Sequence, residues 1–390
     1  MSGKQIRDVL YKYVTIPPKL MRVVDTPEFQ TLRRIRQLGF VCQVYPSANH
    51  TRFEHLLGAC HLAGVALKML NEQQPELFIS PILIETVQLA ALTHDLGHTA
   101  FSHLFDNSIV GHLDVPTEMR THEGRSILLL KHMNTKYGFG FSDSQLDLVG
   151  HMILGVPTAT VPRWWFHWVS NPDFDLDIDK LDYLARDSHA IGMPRDLQIE
   201  RILSHARVVN NSLAFHSKVA ELIVDVFRHR HKMHCEVYRH RVNVAFDHMA
   251  TKILQAVAKV QGWSALFSDT ATHAWRDITD DVLHQVPALA KLYPTAEMAE
   301  ALVLYNRFML RQHPRSRIIR GHHRPPDKRK EEVQTVIVGF TSRLEDNPLK
   351  RIQCFDSFQT LKLRSLLECG VSEISATHPG EQLCVVFEEE

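Results

Sequence analysis

From about residue 18 to residue 312, apolar positions recur three and four apart with interruptions at Pro, Gly, Asn and Asp, so the stretch reads as a succession of helices with few strand signals. Ser80 followed by Pro81 is a cap and a first-turn proline, and the apolar run ILIETVQLAALTHDL continues to Gly97. That run predicts a central helix with His94 and Asp95 in its last turn. A second helix is predicted from about Lys218 to His240, with Val219, Leu222, Ile223, Val226, Met233 and Val237 as its buried stripe. Arg230, His234 and Tyr238 stand four apart on another line of that helix and would line one cavity. The segment RSRIIRGHHRPPDKRKEE, residues 315 to 332, is rich in charge, histidine and proline and predicts a linker or mobile loop. Beyond it, VQTVIVGF and EQLCVVF are strand-like, and SFQTLKLRSLLE reads as an amphipathic helix stopped by Gly370. The expected organisation is a mainly α core over residues 1–320, then a linker and small C-terminal α+β lobe over residues 321–390.

Composition narrows the class. At 390 residues the chain exceeds the roughly 250–300 at which one hydrophobic core stops growing, in keeping with a large unit plus an appendage. Forty-four basic and 44 acidic side chains cancel, which removes the global attraction of a dedicated nucleic-acid or anionic-membrane binder. No run approaches a membrane span, and the opening MSGKQIRDVLYKYV lacks the apolar core of a signal peptide. Six cysteines without a CxxC pair read as thiols in a reducing compartment. The expected location is therefore intracellular, cytoplasmic or nuclear. The 25 histidines are the abnormal number, because imidazole is the commonest transition-metal ligand.

The strongest chemical signal is HDLGHTAFSH, where His94 and Asp95 are adjacent and His98 and His103 follow. A borderline cation takes imidazole and carboxylate ligands with positions left open for water and substrate, and His94 and Asp95 would supply two. Further candidates are His55 in NHTRFEHLLG and Asp179 in DLDIDKLDYLARD. Any single histidine is more often structural, and His229, His231, His240, His322 and His323 show only crowding.

RFEH, then HD, then a distant Asp ahead of a helix resembles the HD-domain metal phosphohydrolases, whose four ligands match His55, His94, Asp95 and Asp179 in order. DTPEFQTLRRIRQLG, SANHTRFEHLLG, THDLGHTAFSHLFD, THEGRS and DIDKLDYLARDSHAIG together are similar to the SAM-and-HD-domain deoxynucleoside triphosphate triphosphohydrolases, strongly over about residues 18–245. The match begins so early that no SAM domain is expected ahead of the core. The resemblance implies a helical HD core with a divalent metal, iron, manganese, zinc or magnesium. It also implies hydrolysis of deoxynucleoside triphosphates to deoxynucleoside and inorganic triphosphate, and a homo-oligomer, dimer or tetramer.

The resemblance further implies roles for single residues. His103 would be the general acid, a task suited to imidazole, and Asp106 would orient it or a neighbour. His98, His122 and Glu123 would hold water and phosphate oxygens. Arg52, Lys180 and Arg230 match the triphosphate-binding cations. Tyr183 and Asp187, four and eight residues past Asp179 on one helix face, match the residues that pack on the sugar and meet its 3′-hydroxyl. Gln37, Leu38, His234 and Tyr238 match the remaining sugar and base contacts, whereas Arg239 stands where the family commonly has glutamine. Asp25, Gln30 and Arg33 match guanine-recognising positions of a GTP activator site, and Val44, Tyr45, Arg201, Lys218 and Arg241 resemble parts of a second, dNTP activator pocket. DVLYKYV replaces the family's Asp-Pro-Ile-His and His216 an arginine, which leaves constitutive activity as the alternative. The rival functions are another HD phosphohydrolase acting on nucleotide monophosphates or cyclic nucleotides, and a non-catalytic HD protein that binds single-stranded nucleic acid. For the latter, the basic stretch Arg315 to Lys330 would be the contact.

Overall fold

The computed structural model describes residues 3–320, 349, 351–357, 363–369 and 383–388. The chain is mainly helical, and nine helices matter here: α1 (Arg52–Gln73), α2 (Pro81–Thr93), α3 (His103–Ser108), α4 (His122–Tyr137), α5 (Asp143–Leu154), α6 (Ile178–Ala190), α7 (Ala220–Met233), α8 (Arg241–Val260) and α9 (Ala296–Met309). Their starts are written locally. Thr51 and Glu54 form a capping box at α1, and Ser80, Thr121, Ser142, Asp177 and Thr295 cap α2, α4, α5, α6 and α9 through their side chains. α1 and α2 pack together through small and branched residues, among them Ala59, Ala63, Val87 and Ala90, all fully buried. That close pair is the floor on which the polar site is built.

α2 ends earlier than the sequence pattern predicts. His94 is its C-cap, and the residues His94 to Gly97 form turns rather than a last helical turn. The cause is tertiary: Ser126 of α4 donates to the His94 carbonyl at 2.8 Å and accepts from the Gly97 amide at 2.7 Å, taking groups that helix continuation would use. A side chain at position 97 would collide with the backbone of His122 and Ser126, so glycine lets the turn lie flush on α4.

The predicted helix from Lys218 to His240 is also divided. Ser217–Val219 is a 3₁₀ turn, α7 follows, and His234–Tyr238 widens into a π-helical turn. The even four-residue spacing is therefore broken at His234, a feature frequent at functional sites.

Among the described residues, eight strands accompany the helices. β1 (Lys4–Asp8) and β2 (Lys12–Ile16) form an antiparallel hairpin. β3 (Ala206–Val209) and β4 (Ser212–His216) lead a four-stranded sheet of order β3-β4-β6-β7, in which β6 (Gln353–Phe355) lies parallel to β4 and antiparallel to β7 (Leu363–Ser365). β5 (Arg315–Arg320) pairs antiparallel with β8 (Leu383–Glu388).

Two expectations change here. Arg315–Arg320, expected to open a linker, is a strand because the distant β8 satisfies its backbone groups. SFQTLKLRSLLE is no continuous helix among the described residues, since Leu363–Ser365 pairs with Gln353–Phe355 and Leu367–Cys369 is a 3₁₀ turn. The strand expected in EQLCVVF is present as β8. VQTVIVGF and all of residues 321–332 lie outside the described residues. Among the described residues no helix is long and apolar enough to cross a membrane.

Candidate active site

α1, the turn after α2, and the first turn of α6 bring four distant side chains to one point. His55 Nε2 lies 3.4 Å from His94 Nε2 and 3.1 Å from Asp179 Oδ1. His94 Nε2 is 3.3 Å from the same Asp179 oxygen, and Asp95 Oδ2 is 3.8 Å from His55 Nε2 and 3.6 Å from His94 Nε2. Ligands about 2.1 Å from one ion are separated by roughly 3 to 3.5 Å, so the spacing of His55, His94 and Asp179 fits a divalent cation, while Asp95, whose Oδ2 is bonded to Arg52, stands just outside that group. The outer nitrogens are fixed as well. His55 Nδ1 donates to Asp182 at 2.8 Å and His94 Nδ1 to the Ala91 carbonyl at 2.9 Å, which turns both Nε2 lone pairs inward.

The electrostatics agree with the donor chemistry. Burial opposes charge on His55, yet hydrogen bonds to Asp179 and Asp182 override it and lift its pKa to about 10. Burial likewise opposes the charges of Asp95 and Asp179, but Arg52 and His94 hold the first, and His94 and His55 the second, well below the usual carboxylate range. A nitrogen that attracts a proton so strongly attracts a cation competing for the same lone pair.

Asp182 is an outer support that the sequence reading missed. Its fully buried carboxylate accepts from His55, from Arg186 Nε and Nη2 at 2.9 and 3.0 Å, and from the Tyr11 hydroxyl at 2.8 Å. Arg186 also donates to Asp8 at 3.0 Å, so the β1–β2 hairpin is tied to a candidate metal ligand. A Cβ at position 58 of α1 would strike Asp182 and Arg186, which explains the glycine one turn after His55.

Beside the four donors stand three more histidines. His98 and His122 stack at 4.0 Å between centroids, and His103 meets them edge-on at 5.0 and 5.5 Å. Asp95 Oδ1 links the groups, 3.4 Å from His98 Nε2 and 3.6 Å from His122 Nε2. The nearest nitrogens of His98, His103 and His122 form a second set able to hold a cation. Asp106 orients His122, accepting from its Nδ1 at 2.7 Å, with Glu123 3.4 Å from the same nitrogen. Buried Arg125 bonds to Asp106 and donates to the Gly97 and Met119 carbonyls, both at 2.8 Å. Arg125 is three residues past His122, and that helical spacing was the signal that could have found it. His103 keeps an exposed edge, while desolvation, then Arg52 and His122, push its pKa down to about 4.

The remaining candidates fall around this centre. Arg52 is bonded to Asp95, donates to Ser102 Oγ at 3.0 Å and approaches the Gln37 carbonyl at 3.5 Å. Gln37 is buried with its side-chain oxygen unpartnered, and Leu38 is half-buried. Lys180 Nζ sits 2.9 Å from both Asp175 and Asp177, and Arg230 Nη1 donates to Asp175 at 2.6 Å. Asp187 accepts from the Tyr238 hydroxyl at 2.7 Å, with His50 Nε2 2.7 Å away on its other oxygen. Burial raises the Tyr183 phenol to about 12 against the pull of Arg230 and Lys180. His234 packs edge-on to Tyr238 at 4.9 Å, and burial lifts Asp247 to about 7 despite Arg239 nearby.

The activator candidates make contacts of their own. Asp25 is exposed, Gln30 donates to the Val24 carbonyl at 2.8 Å, and Arg33 donates to Gln30 at 2.8 Å while stacking on Phe53. Val44 and Tyr45 are half-buried, with the Tyr45 hydroxyl 3.5 Å from the Glu236 carbonyl, and Arg201, Lys218 and Arg241 are exposed.

A family model described as the HD domain matches residues 52–187, from Arg52 to Asp187. The chain is 35% identical over 273 residues to the deoxynucleoside triphosphate triphosphohydrolase SAMHD1 of Homo sapiens, covering 64% of this chain and 44% of that protein. It is 33% identical over 249 residues to the SAMHD1 homolog of Dictyostelium discoideum, covering 64% and 48%. It is 29% identical over 274 residues to the putative HD domain-containing protein L394 of Acanthamoeba polyphaga mimivirus, covering 67% and 59%. The chain thus spans about half the length of the curated relatives it matches.

Proposed function

From the premise that this chain carries an HD domain, we propose that it is a metal-dependent hydrolase of deoxynucleoside triphosphates, releasing deoxynucleoside and inorganic triphosphate. The observation that carries the reading is the convergence of His55, His94, Asp95 and Asp179 beside the cations Lys180 and Arg230 and the residues Tyr183 and Asp187. A divalent cation held by those four would supply the positive charge that polarises a phosphoryl oxygen and eases deprotonation of water.

The chain's own residues account for the remaining work. Lys180, Arg230 and Arg52 neutralise phosphate oxygens and hold the chain of phosphates in line. His98 and His122, the second stiffened by Asp106 and Arg125, face Asp95 and hold the attacking water and an α-phosphate oxygen. As water adds to the α-phosphorus and gives up a proton to solvent, the bond to the 5′ oxygen breaks and His103 delivers the proton that this oxygen takes up. In the substrate-free site desolvation first, and then Arg52 and His122, disfavour a charged His103. The negative triphosphate would oppose the Arg52 and His122 part of that effect, so arrival of substrate favours the protonated acid.

Tyr183 packs on the sugar where a ribose 2′-hydroxyl would stand, and Asp187 with His50 and Tyr238 meets the 3′-hydroxyl. Gln37, Leu38, His234 and Arg239 border sugar and base. The resemblance also supports a homo-oligomer, with GTP at Asp25, Gln30 and Arg33 and a dNTP at Val44, Tyr45, Arg201, Lys218 and Arg241 as activators.

The test is incubation with each deoxynucleoside triphosphate and manganese or magnesium, with and without GTP, followed by chromatography. Free triphosphate and deoxynucleoside are expected. Orthophosphate released from monophosphates, or nucleic-acid binding without turnover under any of these conditions, would replace this reading by one of its rivals.

A further inference from the structure

Asp175 stands between Lys180 and Arg230, two of the three cations that the proposed function assigns to the triphosphate. Its Oδ1 lies 2.9 Å from Lys180 Nζ and its Oδ2 2.6 Å from Arg230 Nη1, with the side chain only 7% exposed. One carboxylate therefore spans both cations, as two oxygens of a phosphate would. Asp177 takes the other side of Lys180 at 2.9 Å. The pair Lys180 and Arg230 is thus matched, charge for charge, by Asp175 and Asp177, and offers an incoming polyanion little net attraction until a carboxylate yields.

The backbone shows that this placement is imposed. Asp175 has φ +56°, in the left-handed region that side-chain-bearing residues seldom adopt. The residues around it are pinned: Phe174 and Leu176 are buried on either side. Asn171 accepts from the amides of Asp173 and Phe174 at 3.0 and 3.1 Å, and its own amide donates to Asp177 at 3.0 Å. Between these anchors a turn directs the Asp175 side chain to the cations, and rotation of that side chain would free both cations without moving the pinned turn. Nothing in the metal cluster requires it, since Asp175 contacts none of the four donors within ion-pair reach among the described residues.

We propose that Asp175 is a built-in competitor for substrate phosphate, occupying Lys180 and Arg230 in the free chain and displaced when a polyphosphate binds. The proposal rests on the reading of Lys180 and Arg230 as phosphate ligands. It makes Asp175 a determinant of affinity that selects for substrates carrying enough phosphate charge to displace it.

The test uses the full chain and two variants, Asp175→Asn, which keeps the shape, and Asp175→Gly, which also accepts the positive φ. Calorimetric titration with inorganic triphosphate should show about tenfold tighter binding in both, the scale of one charge-assisted contact no longer competed for. The KM for deoxynucleoside triphosphates should fall by a similar factor, roughly tenfold, with kcat little changed. Asp173→Asn, two residues away and paired with Arg163 and His167 instead, is the control for loss of charge alone and should leave triphosphate affinity as it was. Unchanged or weaker binding in the Asp175 variants would overturn the proposal, because a purely structural carboxylate would loosen the cations when removed. If the variants bind triphosphate more tightly but no form of the chain hydrolyses a deoxynucleoside triphosphate, this proposal stands and the assigned reaction falls. If the wild type turns over and the variants gain no affinity, the reverse holds.

Discussion

Replacing Asp182 by asparagine tests whether the metal cluster depends on its outer support. The carboxylate takes four hydrogen bonds, two on each oxygen: Tyr11 and Arg186 Nη2 on Oδ1, His55 and Arg186 Nε on Oδ2. An ionised carboxylate can only accept, so His55 Nδ1 must be the donor and Nε2 faces the other ligands. An amide offers one accepting oxygen, so whichever way it turns, two of the four donors meet an NH₂ group. Where that group faces His55, the ring keeps its hydrogen on Nε2, in the path of a cation. Arg186 retains Asp8 at 3.0 Å, so the stability lost should lie near the lower end of the range for a broken buried pair, about 3 kcal/mol. Outer-shell losses typically weaken metal binding by about 10 to 100-fold, and that is the expected rise in Kd for Mn²⁺. Electron paramagnetic resonance titration of free Mn²⁺ reads the affinity, and urea unfolding of the metal-free chain reads the stability. A variant destabilised as expected that still bound Mn²⁺ within about twofold of wild type would refute the argument that Asp182 orients His55 for a metal.

The milder change Tyr11→Phe removes one of those four bonds and should cost about 1.5 kcal/mol of stability in the same unfolding assay, with a smaller loss of Mn²⁺ affinity. His94→Arg combined with Asp95→Asn should abolish both bound metal, measured by elemental analysis, and turnover; full activity in this variant would sink the ligand assignment. His103→Asn should lower kcat by roughly 10² to 10⁴ while binding of metal by His55, His94 and Asp179 is unchanged, as befits a proton donor outside that group. The pKa of His103 is about 4 in the folded metal-free chain against an ordinary 6.5, so the unfolded chain binds the extra proton first as pH falls. Its contribution to stability is whole above the unfolded value and is lost between about pH 6.5 and 4. Urea midpoints measured across that interval should therefore decline less steeply in His103→Asn than in wild type.

Much of the site is local in sequence and was legible there. His94 and Asp95 are neighbours, His55 follows the capped start of a helix and Asp179 opens another, so the order of motifs already pointed to four candidates that the fold brings close together. The outer contacts were not legible. Tyr11 reaches Asp182 across 171 positions and His50 reaches Asp187 across 137, and nothing in either local segment indicates such a partner. Asp175 was passed over for a related reason: its neighbours in DFDLDID look like any acidic stretch, and only the turn at positive φ aims it at Lys180 and Arg230.

The same division runs through the fold. Periodicity and caps determined the helical character of the core, because an amphipathic stripe and a serine or aspartate ahead of it act within a few residues. Tertiary packing decided where α2 stops, since Ser126 takes the backbone groups of its last turn. It also decided that Arg315–Arg320 and Leu363–Ser365 are strands, because a β ladder is satisfied only by a partner the local pattern does not contain. The amino-acid order by itself determined which residues are candidates for the chemistry; the folded chain decided what holds each of them, because those hydrogen bonds and ion pairs form only between segments that folding brings together.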